Sequence, residues 1–534
     1  MVNGGLLSRG SREPWRLGQR VQLRQNFVLR PKVNLTVNPQ RSAAKDESRA
    51  LSRYQRETVL GPLFQDNHPV LTDGTFFSFL SAFNKRCNYL SESRVDPYII
   101  KSSYKLMKRM IPIPLPKIEW TKDLFDAWLP QFEPPKQRRL VKALDRFAAF
   151  THSEFSTKDV FEKVELLMKR HDPEWAGRIV NASTDLHNAM SGPIIQECLK
   201  RLVHSAKVDA SQGHKATVQI AYGEVPQTFV QAVEGDGPFI EADFSSNDKL
   251  QVQDVGQVEY RWAVRLGMPT WLAGCILQAN SYTAQSRKFG VRAKLKYQLP
   301  SGSTSTTFRN SIWNSSIFFS WARRFGIHCN AVVLGDDMLA RITNGRIPKR
   351  ARRDYEHFAT LARMKAKVHV RAALVDCEFL SRCFVPTCRG HLMIPKLGKA
   401  LGRFNARGNP NDISHQAYVA GKSLSYAYEF RHYKPFSQLF LERFLATGEP
   451  YHSLSPGLLS FNFRQAIEIF GSRSAVLRHI GECDSANDDE FCQFTWHRYG
   501  KFRTEAVQDL EDLLFGSSDL PIDRADPYLR ADVW

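Results

Sequence analysis

Residues 331–342 read Ala331-Val332-Val333-Leu334-Gly335-Asp336-Asp337-Met338-Leu339-Ala340-Arg341-Ile342. Two short apolar runs flank a glycine and two adjacent acids, which predicts a β-hairpin with the carboxylates at its tip. Such a tip is a place to bind a divalent metal ion. The triplet is weak evidence by itself, because roughly one chain in ten of this length would contain it by chance.

A further carboxylate, Asp243, lies at the end of a strand predicted at 238–244, and Asp248 follows five positions later. If Asp243 lay beside Asp336, the two would give two divalent cations a shared anchor for phosphoryl transfer. For Asp243 alone, an N-cap or turn role is the commoner use of an aspartate after a strand.

A small polar loop at 301–310 reads Ser301-Gly302-Ser303-Thr304-Ser305-Thr306-Thr307-Phe308-Arg309-Asn310 and opens a helix predicted at about 311–325. Gly302 lets the backbone approach a ligand closely. Thr306 and Asn310 are four residues apart, so they point to one helix face and could hydrogen-bond a ribose hydroxyl. Taken alone, the stretch could equally be a flexible Ser/Thr-rich loop.

Composition points to a large globular protein with a polyanionic partner. The 534 residues are 43% hydrophobic, which supports a large core, and the formal net charge is +20 with a pI near 9.6. A role of this charge in solubility alone is the alternative. No apolar run has the length of a membrane span, and the N-terminus lacks the apolar core of a secretory signal.

The two ends of the chain are charged in opposite ways. Nine Lys or Arg against one acid occupy the first 45 residues, whereas twelve Asp or Glu against five Lys or Arg follow Asp484 and include it. The basic end could be a nucleic-acid arm, a membrane-surface segment, an organelle-targeting peptide or a disordered tail without a dedicated role. The acidic end could screen an RNA channel, but a solvated face is the commoner use.

Nine scattered cysteines without a regular framework favour a reducing compartment. Cys377, Cys383, Cys388 and His391 are close enough in sequence to suggest zinc, but no CxxC pair anchors them. Buried or incidental thiols are therefore the favoured interpretation.

Strand and helix alternate in the middle of the chain, which predicts an α+β sheet backed by helices. Six prolines at 110–136 predict an irregular connection with one short helix, and helical periodicity returns at 136–170. After about residue 405 the pattern is mainly helical. The expected central elements are strands at 238–244 and 378–385, helices at 257–266, 311–325 and 355–364, and a hairpin at 330–342.

In this order, Asp243-x4-Asp248, Ser301-Gly302-xxx-Thr306-xxx-Asn310 and Gly335-Asp336-Asp337 resemble motifs A, B and C of the RNA-dependent RNA polymerases of positive-strand RNA viruses. Nine fixed positions fall in the right sequence over about a hundred residues, which makes the match specific. The resemblance implies a right-hand fold with fingers, a palm with an RRM-like antiparallel sheet backed by helices, and a helical thumb.

The resemblance also implies a role for each matched residue. Asp243 and Asp336 would be the principal ligands of two Mg²⁺ ions, with Asp337 as a supporting carboxylate and Mn²⁺ as a substitute ion. Asp248, Thr306 and Asn310 would recognise the ribose 2′-hydroxyl of the incoming NTP. Ser301 and Gly302 would form the flexible loop that steers template and nucleotide.

The flanking segments extend the resemblance. Lys163 and Arg178, with Lys169 and Arg170, resemble the basic motif F that neutralises the triphosphate, and Arg178 is the best candidate. A charged amphipathic helix at 158–170 is the alternative.

Two downstream segments resemble motifs D and E. In the place of motif D, Lys367 is preferred over Lys365 as the general acid for the pyrophosphate, although Arg363 stands about where related enzymes have a glycine. Residues 377–384 resemble motif E, and a plain amphipathic strand explains them nearly as well.

The predicted organisation is a basic, disordered arm at 1–55, fingers and an N-terminal extension at 56–237, a palm at 238–390 with a fingers insertion at about 267–300, and a thumb with an acidic tail at 391–534. A noda-like, tombus-like or narna-like lineage is expected. The expected partners are template and product RNA, NTPs and viral or host membrane-associated replication factors. The host cytoplasm, with peripheral attachment to a membrane replication complex, is the expected location, and mitochondrial targeting by the basic N-terminus stays open.

Two other functions stay open at this point. A non-catalytic RNA-binding replication or capsid protein would share the basic charge, but clustered aspartates near phosphate are unfavourable without metal. A reverse transcriptase would share the fold, but Asp248 and Asn310 argue against it, because deoxynucleotide enzymes usually place a bulky side chain near the 2′ position.

Overall fold

The computed structural model describes residues 15–16, 32–37, 58–59, 61–65, 67, 69–71, 75–90, 94–147, 153–163, 166–168, 176–223, 226–245, 247–278, 281–345, 347, 350–407, 414–452 and 454–533. The predicted disordered arm at 1–55 lies mostly outside these ranges, as do Lys169 and Arg170.

Mixed α+β structure, the predicted class, runs through the described ranges. The strands are β1 (Trp15–Arg16), β2 (Asn34–Val37), β3 (Thr58–Val59), β4 (Val70–Leu71), β5 (Thr157–Glu162), β6 (Leu166–Leu167), β7 (Ile179–Ala182), β8 (Ala216–Ile220), β9 (Phe239–Phe244), β10 (Ser281–Ser286), β11 (Val291–Lys296), β12 (Cys329–Leu334), β13 (Asp337–Ile342), β14 (Ala366–Arg371), β15 (Glu378–Phe379), β16 (Arg382–Thr387), β17 (Gly390–Pro395) and β18 (Ala406–Arg407).

The helices precede, separate and follow these strands. They are α1 (Phe76–Arg86), α2 (Pro97–Met110), α3 (Lys122–Trp128), α4 (Pro134–Leu144), α5 (Ser153–Ser156), α6 (Asp185–Ser211), α7 (Pro226–Val233), α8 (Asn247–Leu250), α9 (Gln253–Arg265), α10 (Thr270–Gln278), α11 (Thr306–Phe325), α12 (Ala351–Leu361), α13 (Leu397–Leu401), α14 (His415–Glu429), α15 (Lys434–Leu445), α16 (Phe461–Phe470), α17 (Arg473–Glu482), α18 (Asp488–Tyr499), α19 (Arg503–Phe515) and α20 (Ile522–Asp532). Short 3₁₀ turns lie at Leu129–Gln131, Leu374–Asp376 and Pro456–Leu458.

The central sheet has five strands in the order β14-β9-β13-β12-β8. Its pairs are antiparallel except β12 with β8, so the sheet is mixed rather than purely antiparallel as predicted. Strand β8 has no counterpart among the predicted strands and precedes the predicted palm boundary at 238. The predicted hairpin is confirmed, with Leu334 paired to Asp337 across a two-residue turn.

Both faces of the central sheet are covered, which explains why its strands are continuous apolar runs. Ala331 and Val333 point into the main core, which the sheet shares with α2, α6, α9 and α11. Val332 and Leu339 point to the opposite face, against α7 and the small β15-β16-β17 sheet. The turn between β12 and β13 is therefore supported by packing on both faces of the sheet.

Sequence periodicity is misleading at 136–170. Helix α4 forms where helical spacing was predicted, but 157–162 is strand β5, so the charged helix predicted as the alternative at 158–170 is wrong. Lys158, Val160 and Glu162 all point inward and are buried. Because two of these three inward-facing residues are charged, the strand does not show the alternation of apolar and polar residues that would predict it from the sequence. Lys158 donates to Ser183 Oγ at 2.9 Å and Glu162 accepts from Ser78 Oγ at 2.7 Å, which offsets their burial.

Other element boundaries differ in detail. Strand 239–244 agrees with the prediction within one residue, whereas α9, α11 and α12 begin four or five residues earlier than predicted. The single strand predicted at 378–385 is wrong, because β15 and β16 form a hairpin around Leu380 and Ser381, which have φ of 53° and 60°.

The region after residue 405 is mainly helical, as predicted. Helices α14 to α20 pack around a core of their own that is rich in aromatic rings, and β16 and β17 contribute to it. None of the helices in the described ranges has the length and apolarity that a membrane crossing needs.

Candidate active site

The two-residue turn between β12 and β13 carries the paired acids. Gly335 has a φ of 63°, the left-handed conformation that a glycine adopts at low cost in such turns. Asp336 follows in the turn and Asp337 is the first residue of β13. The two carboxylates therefore lie at the end of the sheet where β12 turns into β13.

Helix α11 holds this turn in place. The Asn314 side-chain amide donates toward the carbonyl oxygens of Gly335, Asp336 and Asp337 at 3.2, 3.0 and 3.4 Å. The Gly335 N–H donates to Ser311 Oγ at 2.9 Å. Ser311 and Asn314 are buried, so these bonds satisfy backbone groups of the turn that the strands leave unpaired.

The pairing register of the sheet brings Asp243 to the same end of the sheet. Ala242 on β9 pairs with Met338 on β13, so the next positions along these antiparallel strands are Asp243 and Asp337. On its other side Asp243 pairs with Lys367 of β14. The structure thus places Lys367, rather than Lys365, directly across from the strand-end carboxylate.

Arg363, the residue that stands about where related enzymes have a glycine, has a φ of 64°. It keeps the backbone conformation that favours glycine. Its side chain donates to the Arg94 carbonyl at 2.6 Å, which ties the end of the segment before β14 to the N-terminal part of the fold.

Burial dominates the electrostatics of the three acids, and repulsion by neighbouring carboxylates adds to it at Asp336 and Asp337. Burial, then the charge of Asp243, raise the pKa of Asp336 to about 6. Burial, then Asp336 and Asp243, raise the pKa of Asp337 to about 7. Burial also raises the pKa of Asp243, against the opposing effect of Lys367 and Lys399. A divalent cation among these oxygens would relieve the repulsion, so the donor set fits a hard metal such as Mg²⁺.

The side chains of Asp243, Asp336 and Asp337 are not gathered around a single point. Across the described residues, no three His, Cys, Asp or Glu side chains are arranged so that they could hold a metal ion.

The zinc set suggested by the sequence is likewise not assembled. Cys377 and Cys383 are buried, which raises the pKa of both thiols, whereas Cys388 is exposed. His391 Nδ1 lies 2.5 Å from Glu234 Oε1. Cys377 and Cys383 are therefore the buried thiols of the favoured interpretation.

A second group of polar side chains lies between α8 and the start of α11. Asn310 Nδ2 donates to Asp248 Oδ1 at 3.1 Å, and the Ser301 hydroxyl also hydrogen-bonds the Asp248 carboxylate. Burial raises the pKa of Asp248, although both hydrogen bonds oppose the shift. Thr306 is on the same helix face, one turn before Asn310, with its hydroxyl 3.4 Å from the Pro300 carbonyl. The residues predicted to read a ribose are thus brought together.

The loop at Ser301 and Gly302 packs against β7. The Asn181 N–H donates to the Ser301 carbonyl at 2.7 Å. Gly302 has a φ of 87°, and a Cβ there would lie 2.9 Å from Val180 Cγ1. A side chain at this position would therefore push the loop away from β7.

The motif F candidates differ in their relation to the acids. Lys163 and Arg178 are neighbours at the ends of β5 and β7, where the Lys163 N–H donates to the Arg178 carbonyl at 2.8 Å, and both side chains are exposed. The Arg178 charge lowers the pKa of Asp336, so Arg178 lies within electrostatic reach of the turn. Lys163 is not among the charges with the largest effects on the pKa of the three acids.

Three functional features were missed from the sequence. Ser311 and Asn314 look like ordinary helix residues, and the one sequence signal is that Asn314 lies four residues after Asn310, on the predicted ligand face. Arg309 forms a buried ion pair with Glu259 of α9, with Arg309 Nε 2.7 Å from Oε2. Lys399 of α13 lowers the pKa of both Asp243 and Asp337, which places a cation near them from a segment beyond all recognised motifs.

A cavity of about 1260 Å³ opens in front of the turn. Gly335, Asp336 and Asp337 form part of its wall, and residues of α16 and of the 127–137 segment face them. Its basic lining residues are Lys200, Arg382, Arg431, Arg464 and Arg473. Two of these arginines are paired with acids, Arg382 with Glu429 and Arg464 with Glu133, so the cavity offers a polyanion Lys200, Arg431 and Arg473 near the carboxylates.

A sequence model of the family described as RNA dependent RNA polymerase matches residues 44–436, about three quarters of the chain. The chain belongs to this family, and it is an RNA-directed RNA polymerase of a positive-strand RNA virus. A search of curated proteins found no match.

Proposed function

We propose that this polymerase joins NTPs on an RNA template by a two-metal mechanism centred on Asp243, Asp336 and Asp337. The observation that carries the proposal is the sheet register, which sets Asp243 next to Asp337 and Lys367 while the turn presents Asp336. Asp243 and Asp336 would hold two Mg²⁺ ions, Asp337 would support them, and Mn²⁺ could substitute. When bound, the ions would activate the attacking 3′-hydroxyl and stabilise the leaving pyrophosphate.

The surrounding side chains have separate tasks in this proposal. Arg178, with Lys163 farther out, neutralises the triphosphate and orients it toward the turn. Lys367 gives a proton to the pyrophosphate as general acid. Its position opposite Asp243 supports this role, since the proton would be delivered beside the reacting phosphate.

Ribose selection is assigned to Asp248, Thr306 and Asn310, with Ser301 and Gly302 as the loop that adjusts to template and nucleotide. Asp248 accepts hydrogen bonds from Asn310 and Ser301 and retains lone pairs that a 2′-hydroxyl could satisfy. A site built around a buried carboxylate disfavours a nucleotide that lacks this hydroxyl. The arrangement supports an RNA product over the DNA product of a reverse transcriptase.

The right-hand layout is part of the proposal. We assign the fingers and an N-terminal extension to 56–237, the palm to 238–390 with the fingers insertion at about 267–300, and the thumb with the acidic tail to 391–534. The central sheet supports adding β8 to the palm, and the helical core after residue 405 supports the thumb.

Three further predictions remain. They are a noda-like, tombus-like or narna-like lineage, membrane-associated replication factors as partners, and the host cytoplasm as location.

A primer-free assay tests the function. Purified full-length protein with Mg²⁺, a poly(C) template and labelled GTP should yield template-length RNA, while labelled dGTP should be incorporated poorly. A product from dGTP in preference to GTP would contradict the proposal. A protein that binds RNA but incorporates neither nucleotide, with or without a primer, would favour the non-catalytic alternative.

Metal affinity should depend on pH. Asp336 and Asp337, with pKa values of about 6 and 7, keep protons in the folded protein that the metal must displace. We therefore expect the apparent Mg²⁺ affinity, measured by calorimetry, to rise from pH 5.5 to pH 8 and then to level off. In Asp337→Asn, the part of the rise near pH 7 should disappear. An affinity that does not change between pH 5.5 and 8 would count against these carboxylates as ligands.

A further inference from the structure

Gln251 is a buried side chain next to the ribose-selecting residues, and no sequence motif includes it. It lies between α8 and α9 with no solvent exposure. Gln251 Nε2 donates to Asn310 Oδ1 at 2.7 Å, and Asn310 Nδ2 in turn donates to Asp248 Oδ1 at 3.1 Å. The three side chains form a directed chain of hydrogen bonds that ends on the carboxylate.

The direction of this chain follows from donor and acceptor chemistry. Asn310 has one acceptor and one donor end, and it could turn either toward a neighbour. A carboxylate only accepts, so Asp248 takes the Asn310 nitrogen, and the Gln251 amide nitrogen donates to the Asn310 oxygen on the other side and holds it there. An incoming ribose then meets the second Asn310 N–H and the free Asp248 lone pairs. A 2′-hydroxyl, which both donates and accepts, suits that pair.

Packing alone does not account for Gln251. Within the described residues, no donor meets its Oε1 atom, whereas its Nε2 atom donates to Asn310. An amide buried with one of its two ends unsatisfied is costly compared with an apolar residue of similar size. The position is therefore explained better by what Gln251 does to Asn310 than by stability.

We propose that Gln251 is a positioning residue for sugar selection, which fixes the Asn310 amide so that Asn310 and Asp248 together recognise the 2′-hydroxyl. This inference rests on the proposed ribose-selecting role of Asp248 and Asn310. Without the Gln251 donor, the Asn310 oxygen lacks a partner and the amide can turn toward other donors. Asp248 then loses the Asn310 amide as a fixed neighbour, and the enzyme discriminates less strongly against a nucleotide that lacks the 2′-hydroxyl.

The test is the ratio of kcat/KM for GTP to that for dGTP on a poly(C) template. In Gln251→Met, which keeps size and removes the donor, we expect the ratio to fall about tenfold, mainly through GTP. Asn405→Leu is the matched control, since Asn405 is an equally buried amide in the thumb region that binds the Pro62 and Leu513 carbonyls. It should lower stability without changing the ratio.

Coupling to Asn310 separates positioning from a general structural effect. In an Asn310→Ala background, Gln251→Met should change the ratio no further, because its target is gone. If Gln251→Met does not fold, Gln251→Asn, which is too short to reach Asn310, replaces it and should also lower the ratio. An unchanged ratio in the folded variant, or an equal change in the Asn310→Ala background, would overturn the inference alone. A wild-type protein that does not prefer GTP would overturn the proposed function instead.

Discussion

Asp336→Asn is expected to reduce RNA synthesis at least about a thousandfold, because an amide removes the negative charge that the turn offers to a metal. Synthesis is measured as labelled GMP incorporated on poly(C) at saturating Mg²⁺. RNA affinity should stay close to wild type, since the basic cavity residues are unchanged. Asp243→Asn should have a comparable effect, because the same cations would depend on it.

The stability of Asp336→Asn shows whether lost synthesis has a structural cause. The pKa of Asp336 is raised to about 6, so the ionised form destabilises the fold and this penalty grows as pH rises through 6. In metal-free buffer the amide variant should therefore melt at a higher temperature than wild type at pH 8, with the difference shrinking toward pH 5. A variant that melts higher and still makes RNA at the wild-type rate would refute the catalytic assignment.

Asn314→Leu should lower kcat about a hundredfold with little change in KM for GTP. The substitution keeps volume but removes the amide that donates toward three carbonyls of the turn, and a displacement of about 1 Å at reacting groups has effects of this size. Ser311→Ala should act in the same direction but more weakly, because it removes one hydrogen bond to Gly335 N. Single-turnover incorporation of GMP into a preassembled primer complex measures the step directly.

Asn330→Leu provides the comparison for Asn314. Asn330 lies at the other end of the same hairpin and accepts a hydrogen bond from Thr217 Oγ1 at 2.9 Å. Its loss should cost about 1 kcal/mol of stability and leave kcat nearly unchanged. If Asn330→Leu lowers kcat as much as Asn314→Leu does, the effect belongs to hairpin stability and not to the placement of the turn.

The parts of the site that could be predicted are those where local sequence alone determines structure. The turn at Gly335 is flanked by apolar runs, and the apolar strand before Asp243 is buried on both faces, so neither depends on distant residues for recognition. The choice of Lys367 depended on the family resemblance. The pairing of Lys367 with Asp243 is set by how β14 and β9 come together in the fold, so local sequence could not predict it.

The parts that could not be predicted depend on partners far away in the sequence. Strand β5 was hidden because its inward positions include the charged residues Lys158 and Glu162, which hydrogen-bond with Ser183 and Ser78. The turn at Leu380 and Ser381 uses left-handed backbone without glycine, so no turn signal marks it. The contacts of Asn314 with the turn likewise have no local signature.

The central sheet is built from strands that lie far apart in the sequence, and this separation determines when the sheet can form during synthesis. Strands β8 and β12 are more than a hundred residues apart, and β14, which completes the sheet at β9, ends only at Arg371. On the ribosome, the hairpin can form early, but its sheet stays open until that last strand has emerged. Translation products that stop between 345 and 365 would expose the β9 edge to other chains, so they should aggregate instead of acting as small polymerases.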